Sequence, residues 1–394
     1  MSEDFIKNEL LRLKESGLYR RLRRVDGAQD ATLMLNGREV INFSSNNYLG
    51  IANHPALAAA AKAAIDHYGC GSGASRLISG NMTLHEALEA RLAEFKGTEA
   101  ALVFNSGFQA NSGILSTLAG EGDLIFSDAL NHASIIDGCR LSRAKTRVYR
   151  HCDLDHLEML LKDAPSGARR LIVTETIFSM DGDQAPLVSI VELAEKYGAI
   201  VMVDEAHATG IFGANGAGVV AKLGLMERVP IQMGTLGKAL GGFGAYVAGS
   251  RELRELLINR CRSFIFTTAL PPAVMAMALA AIELVKGEPA RREALWANCR
   301  MMRVGLTQAG FAVGPGESPI LPLIVGDAAK CMQLSERLLE RGVFAQGIRP
   351  PTVPPGTSRL RTTLMATHTQ EQIESALKVF EEIRQSAWQP TTTS

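Results

Sequence analysis

One lysine, Lys238, stands among small and apolar residues in the segment MGTLGKALGG (233–242). The run VPIQM, which leads into this segment, is typical of a buried strand. An amine that apolar surroundings strip of its hydration loses its proton more easily and becomes a better nucleophile. The usual product of such an amine is a Schiff base with a carbonyl, although a surface lysine on a glycine-rich loop gives the same pattern.

A carboxylate and an imidazole follow another apolar run, in VMVDEAHATG (201–210). Asp204 ends the run, where a carboxylate is well placed to meet a protonated ring nitrogen. His207 lies three residues further on, and its ring nitrogen can bond a phenolic oxygen. A helix cap is the alternative for Asp204, and a structural histidine is the alternative for His207.

Two further segments place polar side chains after predicted strands. In SDALNHASI (127–135), His132 can stack on a ligand ring, or it can simply begin a helix. In TETIFSMDGD (174–183), the Ser179 hydroxyl lies beyond a strand, although an ordinary turn has the same composition.

A phosphate site is predicted in FNSGFQANSG (104–113), where a strand passes through glycine into a helix. The free main-chain amides of Gly107 and Phe108 and the positive end of the helix dipole favour an anion there. Strand–glycine–helix turns are common, so this segment is weak evidence when it is taken alone.

The elements that must position these residues alternate between about residues 55 and 250. The predicted helices are 55–68, 83–95, 108–119, 153–163 and 186–198, and the predicted strands are 101–104, 123–127, 171–175, 199–205 and 243–249. Strands that are apolar on both faces, alternating with amphipathic helices, indicate an α/β fold with a mostly parallel central sheet flanked by helices. Ligands of such sheets bind beyond the carboxyl ends of the strands, where the candidate residues fall.

The length of 394 residues exceeds what one hydrophobic core usually serves. We predict an N-terminal helix and arm in residues 1–50, a large α/β domain in 51–285 and a smaller C-terminal α+β domain in 286–394. The last of these is read from predicted strands at 320–325, 343–346 and 359–366 and from predicted helices at 327–341 and 369–386.

Charge and composition argue against several classes of protein. Lys+Arg and Asp+Glu both number 41, so no basic field is available for nucleic acid or an anionic membrane. MSEDFIKNEL does not have the layout of a signal peptide, and the longest uncharged apolar run, about 273–282, is too short for a bilayer. Six widely spaced cysteines without a C-x-x-C pair indicate reduced thiols in a cytoplasmic protein, with neither a metal site nor disulfides.

Two other interpretations of the sequence are alternatives to Schiff-base chemistry at Lys238. GCGSGASR (69–76) is similar to a dinucleotide-binding loop, which would suggest an NAD-dependent oxidoreductase, yet it follows a predicted helix where that fingerprint requires a strand. The second interpretation is a catalytically silent interaction subunit, which would be expected to lack Lys238 or Asp204.

One molecule accounts for all the candidate residues together. An amine nucleophile, a carboxylate for a pyridinium, a stacking imidazole, a partner for a phenolic oxygen and an amide nest match the parts of pyridoxal 5′-phosphate (PLP). We therefore expect PLP as the cofactor.

The sequence also resembles a known family over nearly its whole length, the α-oxoamine synthases, which are PLP-dependent enzymes of fold type I. The segments that carry the resemblance are NFSSNNYLG, GCGSGASR, NSGFQAN, NHASI, FSMDGD, VDEAHATGIFG, GTLGKALGG and IRPPTVPPGTSRLR. The resemblance implies that Lys238 forms the Schiff base, and that Asp204 binds the pyridine nitrogen. It further implies contacts with the cofactor by the residues His132, Ser179, His207, Gly107, Phe108 and Thr235, the last on the phosphate side and reached from a partner subunit.

The resemblance extends to substrates. IRPPTVP followed by G-T-x-R-L-R (348–361) is most similar to family members that join L-alanine to a pimeloyl thioester with loss of CO₂. Members that use glycine with an acetyl or succinyl thioester, or serine with a long acyl thioester, are the alternatives. Arg361 is then expected to hold the amino-acid carboxylate, and the expected contacts with the substrates are Arg20, Asn47, Arg349 and Thr352. A homodimer is implied, and the acyl group is carried on CoA or on an acyl carrier protein.

Overall fold

The computed structural model describes residues 3–387, which divide into two compact units. The large unit comprises residues 46–295 with 316–318, and the small unit comprises the described residues before 46 together with 296–315 and those from 319 onward. The domain boundaries placed at residues 50 and 285 from the sequence stay predictions.

The described residues form fourteen strands and fourteen helices. The strands are β1 (Val25–Asp26), β2 (Thr32–Leu35), β3 (Arg38–Asn42), β4 (Ala100–Phe104), β5 (Leu124–Asp128), β6 (Lys145–Tyr149), β7 (Arg170–Glu175), β8 (Ile200–Asp204), β9 (Ile231–Thr235), β10 (Ala245–Gly249), β11 (Ile320–Gly326), β12 (Val343–Phe344), β13 (Gln346–Ile348) and β14 (Ser358–Thr363). The helices are α1 (Glu3–Glu15), α2 (Pro55–Tyr68), α3 (Thr83–Lys96), α4 (Gly107–Leu118), α5 (Ala133–Leu141), α6 (Leu154–Lys162), α7 (Leu187–Tyr197), α8 (Val219–Lys222), α9 (Arg251–Arg260), α10 (Arg262–Ile265), α11 (Pro272–Gly287), α12 (Pro289–Gln308), α13 (Ala328–Glu340) and α14 (Gln370–Ala387).

The large unit is built on a seven-stranded sheet in the order β4-β10-β9-β8-β7-β5-β6. Only β10 runs antiparallel to its neighbours β4 and β9, and the remaining pairs are parallel. Every residue of β4, β5 and β10 is buried. The mostly parallel, covered sheet that the sequence predicted is therefore confirmed, because strands that are apolar on both faces need helices on both sides.

The core of the large unit lies between the sheet and the helices that cover it. Leu102, Ile125 and Val173 from the strands pack with Ile114 and Ile135 from α4 and α5. Helices α4 and α5 also pack on each other, and α11 packs on α2 and α3. This packing fixes the first turns of α4 and α5 against the carboxyl edge of the sheet.

The small unit holds two further sheets, in the orders β1-β2-β3-β12 and β11-β14-β13. A buried histidine links its segments: His368 accepts the main-chain N–H of Met365 at Nδ1 (2.9 Å) and donates from Nε2 to the carbonyl of Asn42 (3.0 Å). Its ring stacks on Phe43 with centroids 4.5 Å apart. Burial lowers the pKa of His368 to about 4, so the ring is a neutral structural group.

Three exclusions from the sequence can be compared with the structure. The GCGSGASR loop follows α2, which ends at Tyr68, so the strand that a dinucleotide fingerprint requires is not there. Within residues 3–387, no helix is both long and apolar enough to cross a bilayer. All six cysteines are free thiols.

Candidate active site

The carboxyl edge of the large sheet collects most of the residues singled out in the sequence. Asp204 is the last residue of β8, and Thr235 is the last residue of β9, the adjacent strand. His132 comes four residues after the end of β5, and Ser179 comes four residues after the end of β7. Lys238 follows β9 by three residues, so parallel strands bring these distant positions to one edge.

Lys238 takes part in a chain of side-chain contacts in the interior of the large unit. Its Nζ lies 2.7 Å from Nε2 of His207, and Nδ1 of His207 lies 2.7 Å from the hydroxyl of Tyr48. That hydroxyl is also 3.1 Å from Oδ1 of Asn46. His207 and Tyr48 are buried, whereas Lys238 is half-buried. The imidazole of His207 is therefore a hydrogen-bond partner of the amine.

Asp204 anchors a second set of contacts. One carboxylate oxygen accepts the main-chain N–H of Ala206 (2.8 Å), and the other accepts the side-chain amide of Asn111 (2.8 Å). Asn111 also donates to the hydroxyl of Ser134 (2.9 Å), which lies 2.7 Å from Nδ1 of His132. Asp204 and His132 are thus connected through two buried polar side chains.

Glu175 ends β7 directly beside Asp204, its register partner on β8. Its side chain is buried, and its Oε1 has no hydrogen-bond partner among residues 3–387. Burial first, and then the charge of Asp204, raise the pKa of Glu175 well above its usual range; the Lys238 amine and the main-chain N–H groups of His132 and Ser179 only partly oppose this shift. Burial and the charge of Asp204 therefore favour the neutral carboxylic acid form of Glu175.

The phosphate-side residues lie at the start of α4. Ser106 caps this helix by accepting the N–H of Gln109 (3.2 Å), so the N–H groups of Gly107 and Phe108 at the first two helical positions have no intrahelical acceptor. A Cβ on Gly107 would stand 3.1 Å from Cε of Met233, so a bare backbone fits closely there. Thr235 donates its hydroxyl to the carbonyl of Gly244 (2.9 Å) and accepts the N–H of Gly237 (3.1 Å).

The turn that carries Ser179 is held by a histidine between two carboxylates. His151 bonds Asp128 through Nδ1 (2.9 Å) and Asp183 through Nε2 (2.8 Å). Burial alone would lower the pKa of His151, but these two hydrogen bonds raise it to about 12. The resulting imidazolium ties the end of β5 to the FSMDGD turn. Sequence reasoning did not identify this clamp.

The predicted substrate residues are distributed over both units. In the small unit, Arg20 lies 3.4 Å from the hydroxyl of Thr352, and Arg349 donates to the carbonyl of Tyr19 (3.0 Å). Arg361 is buried in β14 of the same unit. Asn47 belongs to the large unit, where its Oδ1 accepts the N–H groups of Ile51 and Ala52 and so caps a turn.

Sequence reasoning missed four side chains at this edge. Tyr48 lies in NNYLG, Asn111 in FQANSG, Ser134 in NHASI and Glu175 in TETIF, so each stood inside a segment already singled out. Glu175 had the clearest signal, because a carboxylate that ends an apolar strand is the same feature that pointed to Asp204. The other three are small polar residues or a tyrosine, which have many structural uses.

The chemistry of these residues fits pyridoxal phosphate. A protonated ring nitrogen needs a carboxylate such as Asp204, an aldehyde needs an amine such as Lys238, and a phosphate needs free amides such as those of Gly107 and Phe108. The open main-chain donors at the start of α4 and the amine beside His207 are the observations that support this fit.

Comparisons with known proteins agree with that chemistry. The family model Aminotransferase class I and II matches residues 38–380. The chain is 56% identical over 375 residues to the 8-amino-7-oxononanoate synthase of Geobacter sulfurreducens, covering 94% of this chain and 96% of that protein. It is 54% identical over 381 residues to the 8-amino-7-oxononanoate synthase of Symbiobacterium thermophilum, covering 96% and 97%.

Solved structures extend the similarity to the fold. The serine palmitoyltransferase of Sphingomonas wittichii matches with a TM-score of 0.92 and 38% identity, covering 98% of this chain and 97% of that chain. The high-resolution structure of SPT with its PLP internal aldimine matches with a TM-score of 0.92 and 35% identity, covering 98% of both chains. The fold is PLP-dependent fold type I, and the cofactor is pyridoxal 5′-phosphate. The chain therefore belongs to the aminotransferase class I and II family, within its α-oxoamine synthase branch.

Proposed function

We propose that this protein catalyses the decarboxylative condensation of L-alanine with a pimeloyl thioester, which gives 8-amino-7-oxononanoate, CO₂ and the free thiol in biotin biosynthesis. The observation that carries the proposal is the Lys238 amine, 2.7 Å from the His207 imidazole at the sheet edge where Asp204 ends β8. The choice of L-alanine and pimeloyl rests on relatives named 8-amino-7-oxononanoate synthase, which are 54–56% identical to this chain. The serine palmitoyltransferase alternative is not favoured, because its structures are 35–38% identical.

The side chains at the sheet edge hold the cofactor from several directions. When bound, pyridoxal phosphate supplies an aldehyde for the amino group and an electron-withdrawing ring that stabilises negative charge at the amino acid's Cα. Asp204 would accept the ring N–H, and the His132 imidazole would lie against the ring face. His207 and Ser179 would donate to the ring oxygen. The amides of Gly107 and Phe108 would bind the phosphate, with the hydroxyl of Thr235 from the partner subunit.

Lys238 has two tasks in this assignment. Its amine would be the group that bonds the aldehyde carbon of the cofactor, and the free amine would be the general base that removes the proton from Cα of the amino acid. His207 lies within hydrogen-bond distance of Nζ and hydrogen bonds to Tyr48 on its other side. This arrangement orients the amine beside an imidazole that can exchange a proton with it.

The substrate contacts are assigned from the same resemblance. The Arg361 guanidinium binds the alanine carboxylate, because its fork of N–H groups matches two carboxylate oxygens. Arg20 and Thr352 contact the acyl substrate, and Arg349 and Asn47 are further substrate contacts. Support for this comes from the small unit, where Arg20 and Thr352 lie 3.4 Å apart and the main chain joins Arg349 to Thr352 (3.1 Å).

The reaction is tested with purified protein, pyridoxal phosphate and pimeloyl-CoA, offered in turn with L-alanine, glycine and L-serine. Release of CO₂ and the mass of 8-amino-7-oxononanoate are expected with L-alanine alone. Parallel reactions with acetyl-CoA, succinyl-CoA and palmitoyl-CoA test the other family reactions. Faster turnover by L-serine with palmitoyl-CoA, or by glycine with a short acyl-CoA, would refute the assignment.

We further propose that the active protein is a homodimer. Large apolar side chains are exposed on segments around the site, at Leu77 (51%), Ile78 (81%), Phe108 (48%), Phe243 (56%) and Phe266 (71%). Exposed apolar patches of this kind are typical of protein interfaces. Light scattering should give twice the chain mass, and Ile78→Asp should give monomers that no longer bind the cofactor. A fully active monomer would contradict the proposal.

The acyl carrier and the location are open to the same kind of test. Pimeloyl groups on CoA and on an acyl carrier protein are compared by kcat/KM, and the larger value identifies the carrier.

The cytoplasm is the expected location, in keeping with six free thiols. Cell fractionation with an antibody checks it.

A further inference from the structure

His132 is the N-cap residue of α5. Its Nδ1 accepts the main-chain N–H of Ser134 at 3.2 Å, which satisfies one of the free amides at the start of that helix. A main-chain N–H can only donate, so Nδ1 must carry its lone pair. In a neutral imidazole the proton then resides on Nε2.

The hydroxyl of Ser134 also requires Nδ1 of His132 to be unprotonated. It receives a hydrogen bond from the Nδ2 amide of Asn111 (2.9 Å) and lies 2.7 Å from Nδ1 of His132. Because Asn111 donates to it, the hydroxyl is free to direct its own hydrogen at the imidazole. Two donors therefore converge on one lone pair.

Asn111 is itself oriented by Asp204. Its two amide hydrogens go to the carboxylate of Asp204 (2.8 Å) and to Ser134, and the residue is 1% exposed. Turning the amide over would place its oxygen against the carboxylate. The observed orientation leaves Oδ1 of Asn111 buried without a partner, a cost that shows how strongly Asp204 decides the direction.

We propose that Asn111 and Ser134 are positioning residues that hold His132 as the neutral imidazole with its proton on Nε2, through hydrogen bonds that begin at Asp204. The inference rests on the proposed function for its consequence, since His132 is assigned there to the face of the cofactor ring. An uncharged imidazole does not repel the protonated ring that Asp204 stabilises. Asp204 would thus fix the protonation of two groups, the ring nitrogen directly and His132 through Asn111 and Ser134.

Charged groups and burial also influence the protonation of His132. Asp204 favours the imidazolium and Lys238 opposes it, while the carboxyl of Glu175, which faces the main-chain N–H of His132, has a raised pKa that favours its neutral form. Loss of hydration, the largest influence, lowers the pKa of His132 below 6.5 despite the attraction of Asp204. The two donors to Nδ1 act in the same direction, since a protonated Nδ1 cannot accept them.

The first test is independent of turnover. NMR of the full-length chain, labelled with ¹⁵N in its eight histidines, distinguishes a protonated from an unprotonated ring nitrogen, with His132→Gln to assign the signal. With and without pyridoxal phosphate, His132 should show an unprotonated Nδ1 and a protonated Nε2 at about pH 7. A proton on Nδ1 in the native protein overturns the proposal, whatever reaction the protein catalyses.

Two variants then remove or reverse the hydrogen bonds. Ser134→Ala deletes the hydroxyl, and Asn111→Asp offers that hydroxyl a carboxylate acceptor, which draws its hydrogen away from His132. Both should raise the pH at which His132 titrates by NMR, and both should move the acidic limb of the kcat/KM profile to higher pH. The expected loss in kcat/KM at about pH 7 is roughly five-fold to ten-fold, the factor for one hydrogen bond of ordinary strength.

Ser142→Ala is the matched control. Ser142 is a buried serine at the other end of α5, where its hydroxyl donates to the carbonyl of Cys139 (2.6 Å). This variant should leave the titration of His132 and the pH profile unchanged. A Ser134→Ala profile that is scaled down but not shifted would assign Ser134 a merely structural role and refute the proposal. Correct NMR behaviour without any product would refute the proposed function alone.

Discussion

Two lysines of the large unit have opposite surroundings. Lys96, the last residue of α3, is 1% exposed, and its ammonium bonds the carboxylate of Glu205 and the carbonyl of Ala217. Lys238 is half-buried, and its amine bonds an imidazole nitrogen of His207 at 2.7 Å. Both are held by hydrogen bonds, but the partners differ in charge.

The partner decides what each lysine can do. Burial alone would lower the pKa of Lys96, but the charge and hydrogen bond of Glu205 outweigh burial and raise it. Lys96 therefore stays an ammonium ion and serves only the fold. An imidazole can accept a proton from an amine or donate one to it, so His207 leaves Lys238 able to change its protonation and to act as a nucleophile.

The carboxylates involved are neighbours in the sequence. Asp204 ends β8 and Glu205 follows it, with its Oε1 accepting the N–H of Val220 (3.0 Å). Successive residues of an extended chain point to opposite sides, so one carboxylate serves the site and the next serves the interior. This alternation allows the ion pair of Lys96 and Glu205 to lie on the interior side of the chain, while Asp204 lies on the side of the site.

The largest effect is expected from Lys238→Met. Loss of the amine should lower kcat/KM by at least about 10³-fold, since it removes both the bond to the cofactor and the general base. The free energy of unfolding of the cofactor-free protein, measured with urea, should stay within about 1 kcal/mol of the native value, because the Lys238 side chain is only half-buried. Activity that survives in this variant would refute its assigned role.

The same substitution at the other lysine should act on stability. Lys96→Met leaves the Glu205 carboxylate buried and unpaired, which should lower the free energy of unfolding by about 3–5 kcal/mol. The kcat of the protein that remains folded should not change. Combining Lys96→Met with Glu205→Leu removes both charges and should restore most of the stability, and a double variant as unstable as the single one would contradict the ion-pair explanation.

The positions of Asp204 and Lys238 in the fold could be predicted from the sequence. The apolar run ending in VDE predicted β8 and placed Asp204 at its end, and the small residues around Lys238 predicted a lysine away from bulk water. Strand ends can be predicted because apolar runs are contiguous, and parallel sheets bring their ends together whatever the connections.

The partners of these residues were not predictable in the same way. Lys96 ends an ordinary amphipathic helix, and nothing local indicates that it reaches Glu205, 109 residues away. Tyr48 meets His207 across 159 residues, and Asn111 meets Asp204 across 93. Such contacts depend on how helices dock on the sheet, which the pattern of single segments does not encode.

A smaller effect is expected at the other side of His207. Tyr48→Phe removes the hydroxyl 2.7 Å from Nδ1 and should lower kcat/KM about ten-fold, with a displaced pH profile, because the imidazole that meets Lys238 loses one of its hydrogen bonds. Tyr246→Phe is the control, since Tyr246 is equally buried but its hydroxyl bonds Thr209 (2.9 Å). Equal pH profiles for the two variants would show that the Tyr48 hydroxyl does not influence the Lys238 amine through His207.

The smallest effect on activity is expected from Glu175→Gln. This substitution tests whether Glu175 forms an ion pair with Lys238, as Glu205 does with Lys96. Because burial favours the neutral form of Glu175, the isosteric amide should change kcat/KM by less than about two-fold, within the range of a conservative substitution. The pKa of Glu175 is higher in the folded than in the unfolded chain, so its stabilising contribution is complete below the unfolded pKa near 4.5 and is lost as the pH rises toward the folded value. Glutamine does not titrate, and the variant should therefore gain stability relative to the native protein as the pH rises above about 4.5, as measured by urea unfolding. A gain that shrinks over that range would mean that Glu175 is ionised and paired with Lys238, and the distinction between the two lysines would then be one of degree.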